Sequence, residues 1–249
     1  MTSLRDDLDR DGFAIVRGLL PPDEVRALAA GFDRLLAIAR GLTGTADVGG
    51  ARFVVTQGPF RLHRVIWCGG ADPLLERHGG DARFLALAAL ALGSGDLVQL
   101  IQQAHFKLPG DEVRFDWHQD ASNRRYGTDL WSDLDGRGSY LQTTLAVDAM
   151  GPGNGGLRIV PGSHRLGFVA DLQSGLLPPG CFDERDAIDV VLDPGDVALF
   201  GPFLIHGSGA NRSGGPRRLF LQGYALPGAN RRDYPGSGPG VLRRLPEPG

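Results

Sequence analysis

The pattern of short apolar runs in the second half of the chain limits its fold more than any other feature. From Asp96 onward, apolar or alternating runs are separated by Gly, Pro, Asp and Asn, with GPGNGG and DPGD as clear turns. The runs are LVQLIQQAHFKL, YLQTTLAVDAM, GLRIVPGSH, AIDVVL, VALFGPFLIHGS and RRLFLQGYAL. Successive strands without helices between them favour two packed sheets. We therefore predict a mainly β fold, a sandwich or jelly roll, over about 96–227.

The N-terminal part, about 1–95, has a different pattern. PPDEVRALAAGFDRLLAIARGL spaces its apolar residues as an amphipathic helix does, and its prolines and acids mark a helix start. ADPLLERHGGDARFLALAALALG predicts further helix that ends at Gly93, and GFAIVRGLL is strand-like. The tail, 228–249, is rich in Gly and Pro and is predicted to be irregular. We expect one domain, 1–249, with a helical layer on the β core.

Composition narrows the possible partners. The 249 residues carry a net charge of −3, which gives no reason to expect nucleic acid or an anionic membrane. The longest apolar run, FLALAALALG, is too short to span a bilayer, and the acidic N-terminus shows no secretory signal. Two cysteines are too few for a disulfide framework. We expect a cytoplasmic protein with a small-molecule partner, and its oligomeric state is left open.

The stretch RFDWHQDAS carries the first indication of chemistry. On a strand, alternate side chains share a face, so His118 and Asp120 would project together while Trp117 and Gln119 point the other way, with Trp117 in the core. His206 follows near the end of a later strand run. Two histidines and one carboxylate suit a non-haem Fe(II) oxygenase. We predict that His118, Asp120 and His206 bind iron and form the catalytic centre.

Two basic residues suggest an acidic co-substrate. Arg217 lies eleven residues beyond His206 and starts a strand run, and its planar fork can bind a carboxylate through two hydrogen bonds. Alternation directs its neighbour Arg218 to the opposite face. Lys107 is the only lysine among 26 basic residues. Because lysine and arginine differ in shape and hydration, Lys107 marks either a functional position or a chance survival.

The chain resembles the phytanoyl-CoA dioxygenase family of Fe(II)- and 2-oxoglutarate-dependent oxygenases, which includes ectoine hydroxylase. The matching stretches, in order, are GFAIVRGLLPPDEVRAL, FDWHQDAS, AVDAMGPGNGGLRIVPGSHRLG, LDPGDVALFGPFLIHGSGANRS and RRLFLQGYA. The resemblance implies a double-stranded β-helix (jelly roll, cupin-like) core, with Fe(II), 2-oxoglutarate and O2 as cofactor and co-substrates.

The resemblance also implies roles for individual residues. His118, Asp120 and His206 match the iron ligands, and Arg217 matches the arginine that pairs with the distal carboxylate of 2-oxoglutarate. The other matches to the co-substrate pocket are Ser208, Lys107 and Thr144. Halogenating relatives have a small residue in place of the carboxylate, so Asp120 indicates hydroxylation or another oxygenation; desaturation, epoxidation and cyclisation stay open.

The substrate is less well defined by the sequence. The segment 121–139 follows the iron motif, is long and polar and contains Gly, as an active-site lid does. Within it, Arg124 and Arg125 are candidates for binding a carboxylate or phosphate, and Tyr126 and Trp131 for covering an apolar part. An exposed, salt-bridged loop is the alternative. No stretch indicates a coenzyme A site, so we favour an amino acid or a natural-product intermediate as substrate.

Two other classes of protein fit part of the pattern. A jelly-roll metalloenzyme that does not use 2-oxoglutarate would not need Arg217 and Ser208. A non-catalytic jelly roll that binds a small ligand would not need His118, Asp120 and His206 together. Both alternatives are less consistent with the sequence than an oxygenase that hydroxylates an unactivated C–H bond.

Overall fold

A computed structural model describes residues 3–245 of the chain. The helices are α1 (Leu4–Asp11), α2 (Pro22–Arg40), α3 (Pro73–Gly79), α4 (Ala82–Leu92) and α5 (Asp120–Arg124). The strands are β1 (Phe13–Val16), β2 (Ala46–Val48), β3 (Ala51–Thr56), β4 (Arg61–Ile66), β5 (Asp96–Lys107), β6 (Phe115–His118), β7 (Tyr140–Ala146), β8 (Leu157–Ile159), β9 (Ile188–Asp189), β10 (Val197–Phe200), β11 (His206–Ser208), β12 (Arg217–Ala225) and β13 (Val241–Arg244).

The larger sheet forms the main wall of the molecule. Its strand order is β1, β10, β7, β12, β5, β4, β3 and β2, with β13 pairing beside β4 on β5, and the pairings are antiparallel. The smaller sheet has the order β6, β11, β8 and β9. This two-sheet antiparallel arrangement confirms the predicted jelly roll.

The helix α2 covers the outer face of the larger sheet. It begins with Pro22 in its first turn, followed by Asp23 and Glu24, as expected at the positive end of a helix. Its apolar face buries Val25, Leu28, Phe32, Leu35 and Ala39. The Phe32 ring packs on Phe106 of β5 and Phe220 of β12, with centroids 5.2 and 6.4 Å away. The predicted amphipathic helix is therefore confirmed, and it supports the strands from behind.

The helix α4 also follows the sequence prediction. The Asp81 carboxylate accepts a hydrogen bond from the backbone N–H of Arg83 at its start. Gly93 ends the helix with φ +70°, a conformation that glycine adopts without strain. None of the helices within residues 3–245 is long and apolar enough to cross a membrane.

Two regional predictions need correction. The N-terminal part is not only helical, because β1–β4 lie in it and extend the larger sheet on both sides. Within the tail predicted to be irregular, Val241–Arg244 forms β13 against Asp96–Gln99, while residues 246–249 lie outside the described part. β1 and β13 pair with strands that are distant in the sequence, β10 and β5. β2, β3 and β4 pair with one another in chain order, and β4 joins them to β5.

Candidate active site

Three side chains that can bind a metal meet where β6 and β11 pair. His118 ends β6 and His206 begins β11, and the two residues are direct antiparallel partners with ring centroids 4.2 Å apart. Asp120 opens α5, and the extended backbone of Gln119 (φ −114°, ψ 134°) preserves the strand alternation up to it. The ligand atoms of the three residues all lie within 4.8 Å of one another.

Hydrogen bonds orient both histidines for metal binding. The Nδ1 atoms of His118 and His206 lie 2.7 Å from the Asp116 carbonyl and 2.9 Å from the Leu204 carbonyl. A carbonyl oxygen only accepts, so each Nδ1 carries the proton and each Nε2 keeps a lone pair for a metal. Burial, and then the charge of His118, lowers the pKa of His206 to about 4, so its ring is neutral near pH 7.

The carboxylate completes a donor set that fits iron. Burial raises the pKa of Asp120, but the nearby charges of His206, His118 and Arg124 outweigh burial, and the pKa is lowered. Two imidazoles and one carboxylate on one side of a metal leave positions open for other ligands. This donor set is the one that non-haem Fe(II) oxygenases use.

Gln119 and Trp117 alternate with the metal-binding residues, and their side chains lie in different surroundings. The buried Gln119 side chain donates to the carbonyls of Gly167 and Phe203 and accepts from the Val169 N–H, which fixes the strand end. Trp117 does not enter the core as predicted. It is half-buried, and its ring packs against Phe182 and the Arg158 guanidinium, because that face of β6 looks away from the larger sheet.

A cavity of about 230 Å³ opens beside the three ligands and is walled by both sheets. Its polar lining includes Arg64, Gln103, His105, His118, Asp120, Asn123, Arg124, Gln142, Thr144, His206, Ser208 and Arg217. Its apolar lining includes Ile66, Ile101, Phe115, Leu157, Phe200, Leu219 and Leu221. A small concave site with a few convergent polar groups is typical of a ligand site.

Arg217 lies in the cavity wall and lacks a partner. Its side chain is 2% exposed, and its Nε and Nη1 atoms have no hydrogen-bond partner within residues 3–245. Burial lowers the pKa of Arg217 to about 9. A buried cation without an acid is costly for the fold alone. The free donors therefore fit an anionic ligand such as the distal carboxylate of 2-oxoglutarate.

Lys107 lies behind this pocket and does not line it. Its Nζ donates to the Ser208 hydroxyl (2.7 Å) and to the carbonyls of Gly209 (2.5 Å) and Gly155 (3.2 Å). These three acceptors match the three protons of the ammonium form and favour it, whereas burial, and then the charge of Arg217, lowers the pKa of Lys107 to about 6. Gly155 belongs to the predicted GPGNGG turn, where φ is +75° and a Cβ would lie 2.7 Å from the lysine chain. The structure thus places Lys107 behind Ser208, and its role toward 2-oxoglutarate stays a prediction.

Ser208 and Thr144 both line the cavity. Ser208 accepts the hydrogen bond from Lys107, so its own hydroxyl proton is free to donate toward the cavity. Thr144 is buried on β7 and is the register partner of Leu221, another lining residue. Their roles toward 2-oxoglutarate stay predictions, and their places agree with those roles.

Of the four predicted substrate residues, Arg124 alone is among the residues that line the cavity. Arg125 is exposed and ends α5 in the left-handed region with φ +63°. Tyr126 donates to Asp133 and packs on Phe203, outside the lining. Trp131 is buried against Tyr140, and its ring N–H donates to the Gly138 carbonyl. The segment 121–139 is thus held by hydrogen bonds within it and by packing against Phe203 and Tyr140.

Sequence reasoning missed several lining residues. Arg64, His105 and Gln103 project from β4 and β5, and Tyr234 comes from the tail. His105 is neutral, because burial and then the charge of Arg64 hold its pKa well below the usual range. The alternation in RLHRVI predicts a strand, but which of its faces meets the iron ligands depends on pairing with β5.

An antiparallel jelly roll with two histidines and a carboxylate beside an arginine-lined cavity defines a class, the non-haem Fe(II) oxygenases. Residues 8–219 match the family model described as phytanoyl-CoA dioxygenase (PhyH). The chain belongs to the phytanoyl-CoA dioxygenase family. It is an Fe(II)- and 2-oxoglutarate-dependent dioxygenase.

Individual relatives agree with this assignment. An ectoine dioxygenase of Sphingopyxis alaskensis is 29% identical over 91% of this chain and 76% of its own length. Dioxygenase lolE1 of Epichloe uncinata is 28% identical over 60% of this chain and 55% of its own length. The structure of EctD from S. alaskensis with 2-oxoglutarate and 5-hydroxyectoine superposes with a TM-score of 0.70 at 25% identity, covering 94% of this chain and 78% of that one.

A second solved structure supports the fold. The epimerase SnoN, in complex with Fe3+, alpha ketoglutarate and nogalamycin RO, has a TM-score of 0.68 at 21% identity and covers 99% of this chain and 94% of its own.

Proposed function

We propose that this enzyme hydroxylates an unactivated C–H bond of a small metabolite, an amino acid or a natural-product intermediate. In this proposal His118, Asp120 and His206 hold Fe(II). One observation carries the proposal: the unpartnered donors of Arg217 line the same cavity as the three metal-binding side chains. A carboxylate bound at Arg217 by a molecule that also reaches the metal is what 2-oxoglutarate provides.

Each polar residue of the pocket then has a defined task. Arg217 binds the distal carboxylate of 2-oxoglutarate through its planar fork, and Ser208 donates its hydroxyl proton to the same group. Lys107 orients Ser208 and joins it to the two carbonyls behind. Thr144 closes the side of the pocket. When bound, Fe(II) and 2-oxoglutarate supply, with O2, the oxidising power to hydroxylate a C–H bond, giving succinate and CO2.

The apolar residues of the cavity limit water and position the substrate. Leu219 and Leu221 alternate with the buried outer residues of β12, and Phe200 and Leu157 lie on neighbouring walls. Apolar walls keep competing water from the reacting atoms and hold the target bond in place.

The small substrate is supported by two observations. The cavity of about 230 Å³ is below the range of about 300–1,000 Å³ typical of drug-sized ligands, and a coenzyme A thioester exceeds it. The relatives include an ectoine dioxygenase and a structure with bound 5-hydroxyectoine, which is a small metabolite. We also propose a cytoplasmic location, in keeping with the two free thiols of Cys68 and Cys181.

An anaerobic titration tests this proposal. Adding Fe(II) to the protein with 2-oxoglutarate should produce the weak visible charge-transfer band of chelated 2-oxoglutarate, and Arg217→Lys should require more 2-oxoglutarate to reach it. Arg218→Lys is the matched control. Iron binding without any effect of 2-oxoglutarate would identify a metalloenzyme of another type, and absence of iron binding would identify a non-catalytic jelly roll.

A further inference from the structure

The cavity carries more positive charge than its cofactors require. Among the described residues, its lining contains three arginines, Arg64, Arg124 and Arg217, and one carboxylate, Asp120. None of these arginines forms a salt bridge within residues 3–245. Several exposed arginines, such as Arg125, also lack an acid in this range, but water solvates them. Arg124 and Arg217 differ from these because they are buried and have donors without a partner among the described residues.

The net charge of the cavity with Fe(II) and 2-oxoglutarate bound is positive. The two positive charges of Fe(II) offset Asp120 and the carboxylate of 2-oxoglutarate that reaches the metal, and the distal carboxylate offsets Arg217. Arg64 and Arg124 remain, and together they leave two uncompensated positive charges in the cavity lining. Like charges confined in a low-dielectric cavity repel strongly, so the loaded enzyme attracts an anion.

Two aromatic rings position Arg124 to bind an anion. Its side chain is buried, and its guanidinium carbon lies 4.9 Å from the Tyr140 ring centroid and 5.0 Å from that of Tyr234. Both rings lie close enough for a cation–π contact, which holds the guanidinium in place. Nε and Nη1 have no hydrogen-bond partner among residues 3–245. The group is thus held rigid with its donors unused.

Arg64 reaches the cavity from the other side of β5. It lies on β4 as the register partner of His105, whose ring also lines the cavity. Its Nε is buried without a partner in the described chain, and burial lowers the pKa of Arg64 with no acid to oppose it. No hydrogen bond among residues 3–245 requires an arginine here, and a shorter apolar residue would avoid the desolvation cost.

We propose that the substrate is an anion whose oxyanion group, a carboxylate or a phosphate, pairs with Arg64 and Arg124. This inference rests on the proposed function, because 2-oxoglutarate is taken to occupy Arg217. It assigns to Arg64 a substrate-binding role and to the tail residue Tyr234 a positioning role through Arg124.

The test uses the loaded enzyme and simple anions as probes. The protein is saturated anaerobically with Fe(II) and 2-oxoglutarate, and inorganic phosphate or acetate is titrated at constant ionic strength, with binding followed by calorimetry. We expect saturable binding of at least one probe, and at least a tenfold higher dissociation constant in Arg64→Gln and in Arg124→Gln. The matched control is Arg125→Gln, which changes an exposed arginine next to Arg124 and should bind as the unchanged protein does.

The charge-transfer band separates the possible outcomes. If the band forms and neither probe binds saturably, the inference is wrong and the proposed function stands. If the band does not form, both are overturned. Equal losses in Arg125→Gln and Arg124→Gln would also contradict the inference, since they would indicate surface binding. Because Arg64 and Arg124 lie on different elements, Arg64→Gln decides the question if Arg124→Gln does not fold.

Discussion

Arg217 and Arg218 are neighbours on β12, yet they occupy opposite electrostatic environments. On the outer face, Arg218 donates two hydrogen bonds to the Asp148 carboxylate, both 2.8 Å long, and one of 2.7 Å to Asp33. The bond with Asp148 raises the pKa of Arg218. On the inner face, Arg217 has no acidic partner in the described part of the chain, and burial lowers its pKa. The outer arginine stabilises the fold, and the inner one is available to a ligand.

The same contrast recurs at the end of α5. Arg124 is buried in the cavity wall with unused donors, and Arg125 is exposed beyond the helix end. In both pairs the backbone directs two identical side chains differently, so that only one of them lines the cavity. An unpaired buried cation therefore marks the site better than residue type does.

The largest expected effect comes from removing an iron ligand. His206→Ala and His118→Ala should each abolish iron-dependent 2-oxoglutarate turnover, since losing even a partner behind a metal ligand costs about 10–100-fold. The melting temperature of the iron-free protein should change little, because a catalytic metal site leaves positions open and does not hold the domain together. Succinate release and iron content measure this. Full turnover in His206→Ala would refute the ligand assignment.

The second largest effect is expected at Arg217, and Arg218 on the same strand provides the comparison. Arg217→Lys keeps the charge but loses the planar fork, so binding of 2-oxoglutarate should weaken by about 1.5–3 kcal/mol, or roughly 10–150-fold. Arg218→Lys should leave that binding unchanged and lower the stability instead, because it loses bonds to Asp148. Calorimetric titration and urea unfolding separate the two. A reversed pattern would mean that the strand register is wrong.

Lys107→Met tests whether Lys107 binds 2-oxoglutarate or stabilises the fold around Ser208. It leaves the Ser208 hydroxyl and two carbonyls without their donor, so we expect a loss of about 2 kcal/mol in the free energy of unfolding. Binding of 2-oxoglutarate should weaken less than in Arg217→Lys, since Lys107 acts through Ser208. The reverse, a large binding loss at unchanged stability, would show direct contact between Lys107 and 2-oxoglutarate.

The smallest effect has the opposite sign. Arg64→Met removes a partly buried guanidinium that pairs with no acid of residues 3–245, so the free energy of unfolding should rise by about 0.5–1 kcal/mol. Arg218→Met, from the outer face, should lower it. Differential scanning calorimetry of the ligand-free protein compares the two. Destabilisation by Arg64→Met would mean that Arg64 supports the fold.

The amino-acid sequence by itself determined the β-rich core, the helix α2 and the group formed by His118, Asp120 and His206. Periodicity identified the elements because burial on one face repeats along each of them. The paired histidine and aspartate were readable because alternation is a local property of extended backbone, and it persists through Gln119. Arg217 was separated from Arg218 by the same local rule.

Only the tertiary structure decided which other residues share the cavity. Arg64 enters through the pairing of β4 with β5, and Arg124 lies between rings from β7 and the tail. Trp131 was predicted to cover an apolar part of the substrate, but it is buried beside Tyr140. Lys107 was singled out as the only lysine of the sequence, but its position behind Ser208 depends on three acceptors from distant parts of the chain. Burial and hydrogen-bond satisfaction depend on all the surrounding elements at once, and local sequence does not contain that information.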